Sequence, residues 1–223
     1  MPDSTPISLP TIAILGGTGK EGTGLALRWA SVGYKVIIGS RQAEKAQAAA
    51  AELNAKLGND VVNGQENSLA ACQAQICILT VVQSAHQAVL IGLKEALKGK
   101  ILVDATARVD FRNPVPPLPP SAARIAQDIL GSEVRVAAAF QNVPAHSLGK
   151  NLGGSLDTDV LVCANDEDTA AQVIKLAEAA GMRGYAAGGL DNAIVIEGLT
   201  SILISLNKNY RGKTASISIT GVK

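Results

Sequence analysis

Residues 12–22 read IAILGGTGKEG. Four consecutive apolar residues, Ile12–Leu15, suit a strand covered on both faces, and they break into a glycine-rich turn that leads into helix-forming residues. Gly17-Thr18-Gly19-Lys20-Glu21-Gly22 satisfies G-x-G-x-x-G where the pattern has meaning, directly after a strand and directly before a helix predicted over Gly22–Ser31. Such glycines permit a tight turn, let the backbone approach a pyrophosphate and seat the helix closely on the strand. The helix start adds free N–H groups and a partial positive charge. The stretch therefore predicts a dinucleotide site at the head of an α/β domain.

The surrounding chain keeps the same rhythm. Apolar runs at Lys35–Ile38, Ile76–Val81, Lys100–Val103 and Val134–Ala138 alternate with helical segments at 42–58, 84–99 and 121–131. This alternation predicts a Rossmann-type, doubly wound and mostly parallel sheet. Asp104 to Pro120 carries five prolines after Asn113 and is read as a stiff surface loop. A further strand, helix and strand follow in TDVLVCAN, DEDTAAQVIKLAEAAG and MRGYAAG, continuing the sheet. The chain then closes on LDNAIVIEGLTSILISLNKNY, Leu190 to Tyr210, apolar on nearly every face and so expected to be buried under the domain or against another chain. Residues 1–140 are read as the nucleotide-binding domain. Residues 141–223 form a smaller part that completes the substrate cleft and supplies the contact of an expected homodimer.

Composition narrows the partners. Apolar residues make up 47% of the chain and charged residues 17%, a globular balance. Lys+Arg 20 against Asp+Glu 19 leaves no basic field for nucleic acid. The longest apolar runs, such as VRVAAAF and ILISL, fall short of the roughly 20 residues of a membrane span, and the opening MPDSTPISLP lacks the pattern of a secretory signal. The expected setting is the cytoplasm. Cys72, Cys77 and Cys163 form no metal-binding spacing and are read as small buried hydrophobes. No metal site and no catalytic side chain is indicated.

The end of the second strand distinguishes the two common dinucleotides. An NAD site places Asp or Glu there, to bind the ribose 2′-OH. Here the chain reads Gly39-Ser40-Arg41, with Lys45 one helical turn beyond. A hydroxyl, a guanidinium fork and an ammonium suit a 2′-phosphate, so NADP is the expected cofactor.

From Thr11 onward the chain resembles the NADPH-dependent reductases of the deazaflavin coenzyme F420, the F420H2:NADP oxidoreductases. The likeness lies in ILGGTGKEGTGLALRWASVGYKVIIGSRQAEKA, in ICILTV, in VAAAFQNVPA and in the terminal LDNAIVIEGLTSILISLN. The resemblance implies hydride transfer between NADP(H) and F420. It places Gly17, Thr18, Gly19, Lys20 and Glu21 at the pyrophosphate and adjacent ribose, and Ser40, Arg41 and Lys45 at the 2′-phosphate. Thr80, Val81 and Val82 would line the nicotinamide ribose, with Ala145 near the nicotinamide. Gln141, Asn142, Val143 and Pro144 would meet the deazaflavin. Val82, Gln83 and Gln141 depart from the family, which often has a proline and an aromatic residue at the first two positions and a histidine at the third. Another acceptor (a flavin, quinone or ferric chelate) and a non-catalytic NADP(H) sensor remain as alternatives.

Several single residues stay open between two roles. His86 is expected at the cofactor's ribose or phosphate, or at a solvent-facing helix start. His146 faces the second substrate or water. Arg108 and Arg112 on the proline-rich loop pair with an anionic part of the second substrate or are solvated. Trp29 is read as core and Asp104 as a loop-capping carboxylate.

Overall fold

The computed structural model describes residues 9–222, so the first eight residues of the opening segment lie outside the described residues. Eight strands form one sheet: β1 Ile12–Leu15, β2 Val36–Ser40, β3 Val62–Glu66, β4 Ile76–Leu79, β5 Ile101–Asp104, β6 Arg135–Ala138, β7 Asp159–Ala164 and β8 Arg183–Ala186. The connecting helices are α1 Lys20–Ser31, α2 Ala43–Leu57, α3 Asn67–Gln73, α4 His86–Leu97, α5 Ala122–Leu130, α6 Ala145–Leu148, α7 Glu167–Ala179 and α8 Ala193–Asn209. The strand order is β3-β2-β1-β4-β5-β6-β7-β8. The chain reverses direction across the sheet between β1 and β4, the crevice where open α/β sheets bind ligands.

Strands β1 to β6 are parallel, with Ile12 opposite both Val36 and Ile76. Alternating side chains of β1 serve two cores. Ile12 and Ile14 pack with Leu25, Trp29 and Val36 on one face, whereas Ala13 and Leu15 pack with Leu79, Leu90 and Leu97 on the other. This two-faced burial explains the unbroken apolar runs. Trp29 is a core residue as expected, fully buried, edge-on to Phe140 and donating its indole N–H to the Leu176 carbonyl at 2.8 Å.

The sheet continues past residue 140, but β7 pairs antiparallel with β6, through Ala137 to Ala164 and Ala138 to Cys163. The intervening segment holds only the four-residue α6 and no crossover helix, which a parallel return needs. Strand β3 and helix α3 went unread because VNGQE is polar and short. Cys77 and Cys163 are buried, whereas Cys72 is exposed and corrects the reading of three buried thiols.

The terminal helix is buried under the domain along one face. The helical segment Leu190–Asn209 reaches 20 residues at a mean hydropathy of 1.2, so by length and composition alone it matches a membrane span. In the fold it packs against α5, with Ile196 and Leu203 buried, while Val195, Ile202 and Leu206 remain exposed. It is buried along one side only.

Candidate functional site

The glycine turn is built by close approach. Gly16 follows β1 with a φ of 70°, and a Cβ there would meet Val81 Cγ1 at 2.5 Å. Its N–H is held by Asn67 Oδ1 at 3.1 Å. A Cβ on Gly22 would fall 2.6 Å from the Gly17 Cα, so this glycine lets α1 seat against the turn. Gly19 differs: a Cβ there would meet nothing within 4 Å. Gly19 opens onto free space as the N-cap of α1, and no side chain caps that helix. Helices α3, α5 and α7 are capped by Glu66, Ser121 and Asp166, whereas α2, α4, α6 and α8 share with α1 the lack of a side-chain cap. The uncapped N–H groups of α1, flanked by exposed Thr18 and Lys20, fit a pyrophosphate.

Glu21 lies half-buried in the first turn of α1 and lines the adjoining cleft. Burial pushes its carboxyl up to about 8. It is therefore mostly protonated at neutral pH, a hydrogen-bond donor in place of an anion that would repel phosphate.

Ser40 ends β2 nearly buried, while Arg41 and Lys45 are exposed. Among the described residues neither cation forms an ion pair. The nearest carboxylate by register is Glu66, opposite Ser40 on β3. It is turned into the start of α3, where it accepts from the Ser68 N–H and hydroxyl. Burial works against ionisation of this carboxyl, but hydrogen bonds from Ser68 and neighbouring backbone N–H groups outweigh that effect and hold it below the usual carboxylate range. The two cations are exposed and, among the described residues, engaged in no ion pair, as a 2′-phosphate requires.

Beyond the nucleotide crevice opens a cleft of about 730 Å³. Its lining joins Glu21, Thr80, Val81 and Val82 to residues 141–146 and to Thr200, Leu203 and Ile204 of α8. Val82 sits at the rim, 71% exposed, and His146 lies exposed among the lining residues. Val143 is buried, and Pro144 and Ala145 are half-buried where α6 begins. The proline-rich loop contributes Ala107, Val109 and Phe111 to the same cleft.

Two carboxamides at this end have their orientation fixed by carbonyl partners. Gln141 donates Nε2 to the Asp104 carbonyl at 2.8 Å, and Asn142 donates Nδ2 to the Asp159 carbonyl at 2.7 Å. Only an amide nitrogen donates to a carbonyl, so Gln141 Oε1 and Asn142 Oδ1 are the remaining acceptors, and both are buried without a partner. Thr106 Oγ1 on the same cleft is likewise unpartnered. Such groups call for a polar ligand or water.

His86 is corrected. Its ring is only 2% exposed and its Nε2 lies 2.6 Å from Asp104 Oδ2, so it faces neither cofactor nor solvent as the sequence suggested. Asp104 also accepts the Thr106 N–H through Oδ1 at 2.9 Å, the turn-capping role expected of it. Arg108 is corrected too: its guanidinium is paired with Glu197 at 2.8 Å and is not free for an anionic ligand. Arg112 is exposed. Sequence reasoning missed Asn67, Thr106, Glu197 and Thr200. Only Glu197 left a signal, as a lone carboxylate within an apolar helix.

A doubly wound sheet with an uncapped, glycine-rich helix start at its reversal point, joined to a second cleft, defines a dinucleotide-binding protein of the oxidoreductase type. Residues 11–108 match a family described as NADP oxidoreductase, coenzyme F420-dependent. The chain is 42% identical over 221 residues to the F420-dependent NADP reductase of Methanothermobacter marburgensis, covering 95% of this chain and 98% of that one. It is 41% identical over 225 residues to the enzyme of the same name from Methanocaldococcus jannaschii, covering 95% and 99%. A crystal structure from Arthrobacter sp. FB24, described as a "putative f420 dependent nadp-reductase", superposes with a TM-score of 0.79 at 26% identity, covering 96% of this chain and 100% of that one. The chain belongs to the family of F420-dependent NADP reductases.

Proposed function

We propose that this protein transfers a hydride between NADP(H) and the deazaflavin coenzyme F420. The observation that carries the reading is the continuity of the two sites: one cleft is lined both by Glu21 and Thr80–Val82 of the nucleotide crevice and by residues 141–146 with α8. When both coenzymes are bound, nicotinamide C4 and deazaflavin C5 exchange the hydride directly, with one proton joining the reduced deazaflavin.

The residues of the chain supply binding, alignment and dryness. The α1 N–H groups with Thr18, Gly19 and Lys20 hold the pyrophosphate. Ser40, Arg41 and Lys45 hold the 2′-phosphate. Thr80, Val81 and Ala145 bracket the nicotinamide end, and Val82 closes the rim. Gln141, Asn142, Val143 and Pro144 meet the second ring. Residues 1–140 thus serve the nucleotide, and residues 141–223 complete the substrate cleft.

The outward face of α8 is the expected homodimer contact: Val195, Ile202 and Leu206 are exposed, the last two beside Pro114 and Pro116 of the proline-rich loop. The dimer works as a soluble protein in the cytoplasm. Sedimentation should give twice the chain mass, and Ile202→Glu should halve it.

The activity is tested by mixing purified protein with NADPH and oxidised F420. Loss of the deazaflavin's visible absorbance at the rate of NADPH consumption is the expected result. NADPH consumption with a flavin, quinone or ferric chelate but not with F420 would overturn it, and binding of NADP without turnover of any acceptor would favour a sensor.

A further inference from the structure

Midway along helix α8, Glu197, Thr200 and Ser201 form a polar row among apolar neighbours, and their spacing of three and four residues places them on one side. Glu197 is 1% exposed, and its carboxylate is saturated with donors. Oε1 accepts from the Arg108 backbone N–H at 2.7 Å and from Arg108 Nε at 2.8 Å. Oε2 accepts from the Ala122 N–H at 2.8 Å, at the first turn of α5. Arg108 Nη2 in turn donates to the Leu118 carbonyl at 2.7 Å. One carboxylate therefore ties the entry of the proline-rich loop to its exit. The neighbouring row members add to this: Ser201 Oγ donates to the Val115 carbonyl at 2.9 Å, and Thr200 Oγ1 to the Gln141 carbonyl at 3.0 Å.

Stability alone does not call for a carboxylate here. A buried ion pair is often matched or bettered by apolar residues of similar volume, whereas removing one partner leaves the other stranded. What the charge supplies is a fixed geometry, because three charge-assisted bonds converge on two oxygens. The stretch so held, Val109 to Phe111, lines the cleft, and Glu197 is absent from the cleft surface. We propose that Glu197 is a positioning residue, which sets the proline-rich loop as the wall against which the second substrate binds. This rests on the reading that the cleft takes the deazaflavin beside NADP(H). The nucleotide crevice, on the other side of the cleft, receives none of these bonds.

The test compares full-length wild type with Glu197→Gln, Glu197→Asp and Arg108→Gln. Glu197→Gln should raise amide exchange in peptides spanning residues 108–122 and raise the KM for F420 about tenfold, as expected for one charge-assisted hydrogen bond. The kcat and the NADPH Kd should stay within about twofold. Glu197→Asp should recover part of the KM. Arg108→Gln keeps an amide donor toward the buried Glu197 carboxylate and should reproduce the split even if a Glu197 variant fails to fold, and the double variant should be no worse than either single one. Equal losses in NADPH Kd and F420 KM, or an unmoved KM beside increased loop exchange, would overturn the positioning role alone. Wild type inactive with F420 would overturn the activity and this role with it.

Discussion

The two ends of the cleft are made in different ways. At the nucleotide end the ligand surface is mostly main chain, an uncapped helix start and a turn of glycines, joined by two outward cationic side chains, all drawn from residues 16–45. At the other end it is assembled by side chains from distant parts of the chain, with Glu197 binding Arg108, Thr200 binding Gln141 and Gln141 binding Asp104. The first end is specified by space and charge. The second is specified by hydrogen bonds whose partners the chain must fold to bring together.

This contrast predicts where damage spreads, and the largest effect belongs to the glycine turn. Gly22→Val would drive a Cβ into the Gly17 backbone, and overpacking of this kind costs about 1–3 kcal/mol while displacing the very N–H groups the pyrophosphate needs. NADPH binding by calorimetry should be lost, and retention within threefold would break the account of that turn.

Next comes Arg41→Ala. Loss of a charged hydrogen bond should weaken NADPH by about 1.5–3 kcal/mol and leave NADH nearly unchanged. Equal weakening of both would refute the 2′-phosphate assignment. At the opposite end Thr200→Val removes a neutral bond to the Gln141 carbonyl, worth about 0.5–1.5 kcal/mol. It should appear in the KM for F420 and not in the NADPH Kd; the reverse pattern would erase the distinction between the two ends.

A separate effect is one of pH. Glu21 titrates near 4.5 when unfolded and about 8 in the fold, so stability is full below the first value and falls as pH rises through the second. Glu21→Gln should flatten that decline, and the ionised wild type should also hold NADPH less tightly above about pH 8. Thermal unfolding and NADPH titration across pH check both; parallel curves for wild type and variant would contradict the buried carboxyl.

The same contrast explains what the sequence revealed. Strands β1, β2, β4, β5 and β6 were legible because burial on both faces leaves an unbroken apolar run, and the nucleotide site because its parts lie next to one another in the chain. Strand β3 was not, since an edge strand tolerates the polar VNGQE, with Gly64 needed where α2 crosses it: a Cβ there would lie 2.3 Å from the Ala46 backbone. The acceptor end was legible through family resemblance and hardly at all through local pattern. His86 and Arg108 looked like free ligands because nothing near them in sequence announces Asp104 or Glu197 as partners. A polar residue's neighbours decide its role, and those neighbours are tertiary.

The central claim is that both ends close on a single dry cleft in which hydride passes directly between two rings. NADPH carrying deuterium at C4 in the transferable position, incubated with oxidised F420 and the protein in ordinary water, tests it most directly. The account predicts deuterium at C5 of the reduced deazaflavin, seen by NMR and mass spectrometry, with none released to solvent. Reduced deazaflavin carrying solvent hydrogen at C5 would contradict it.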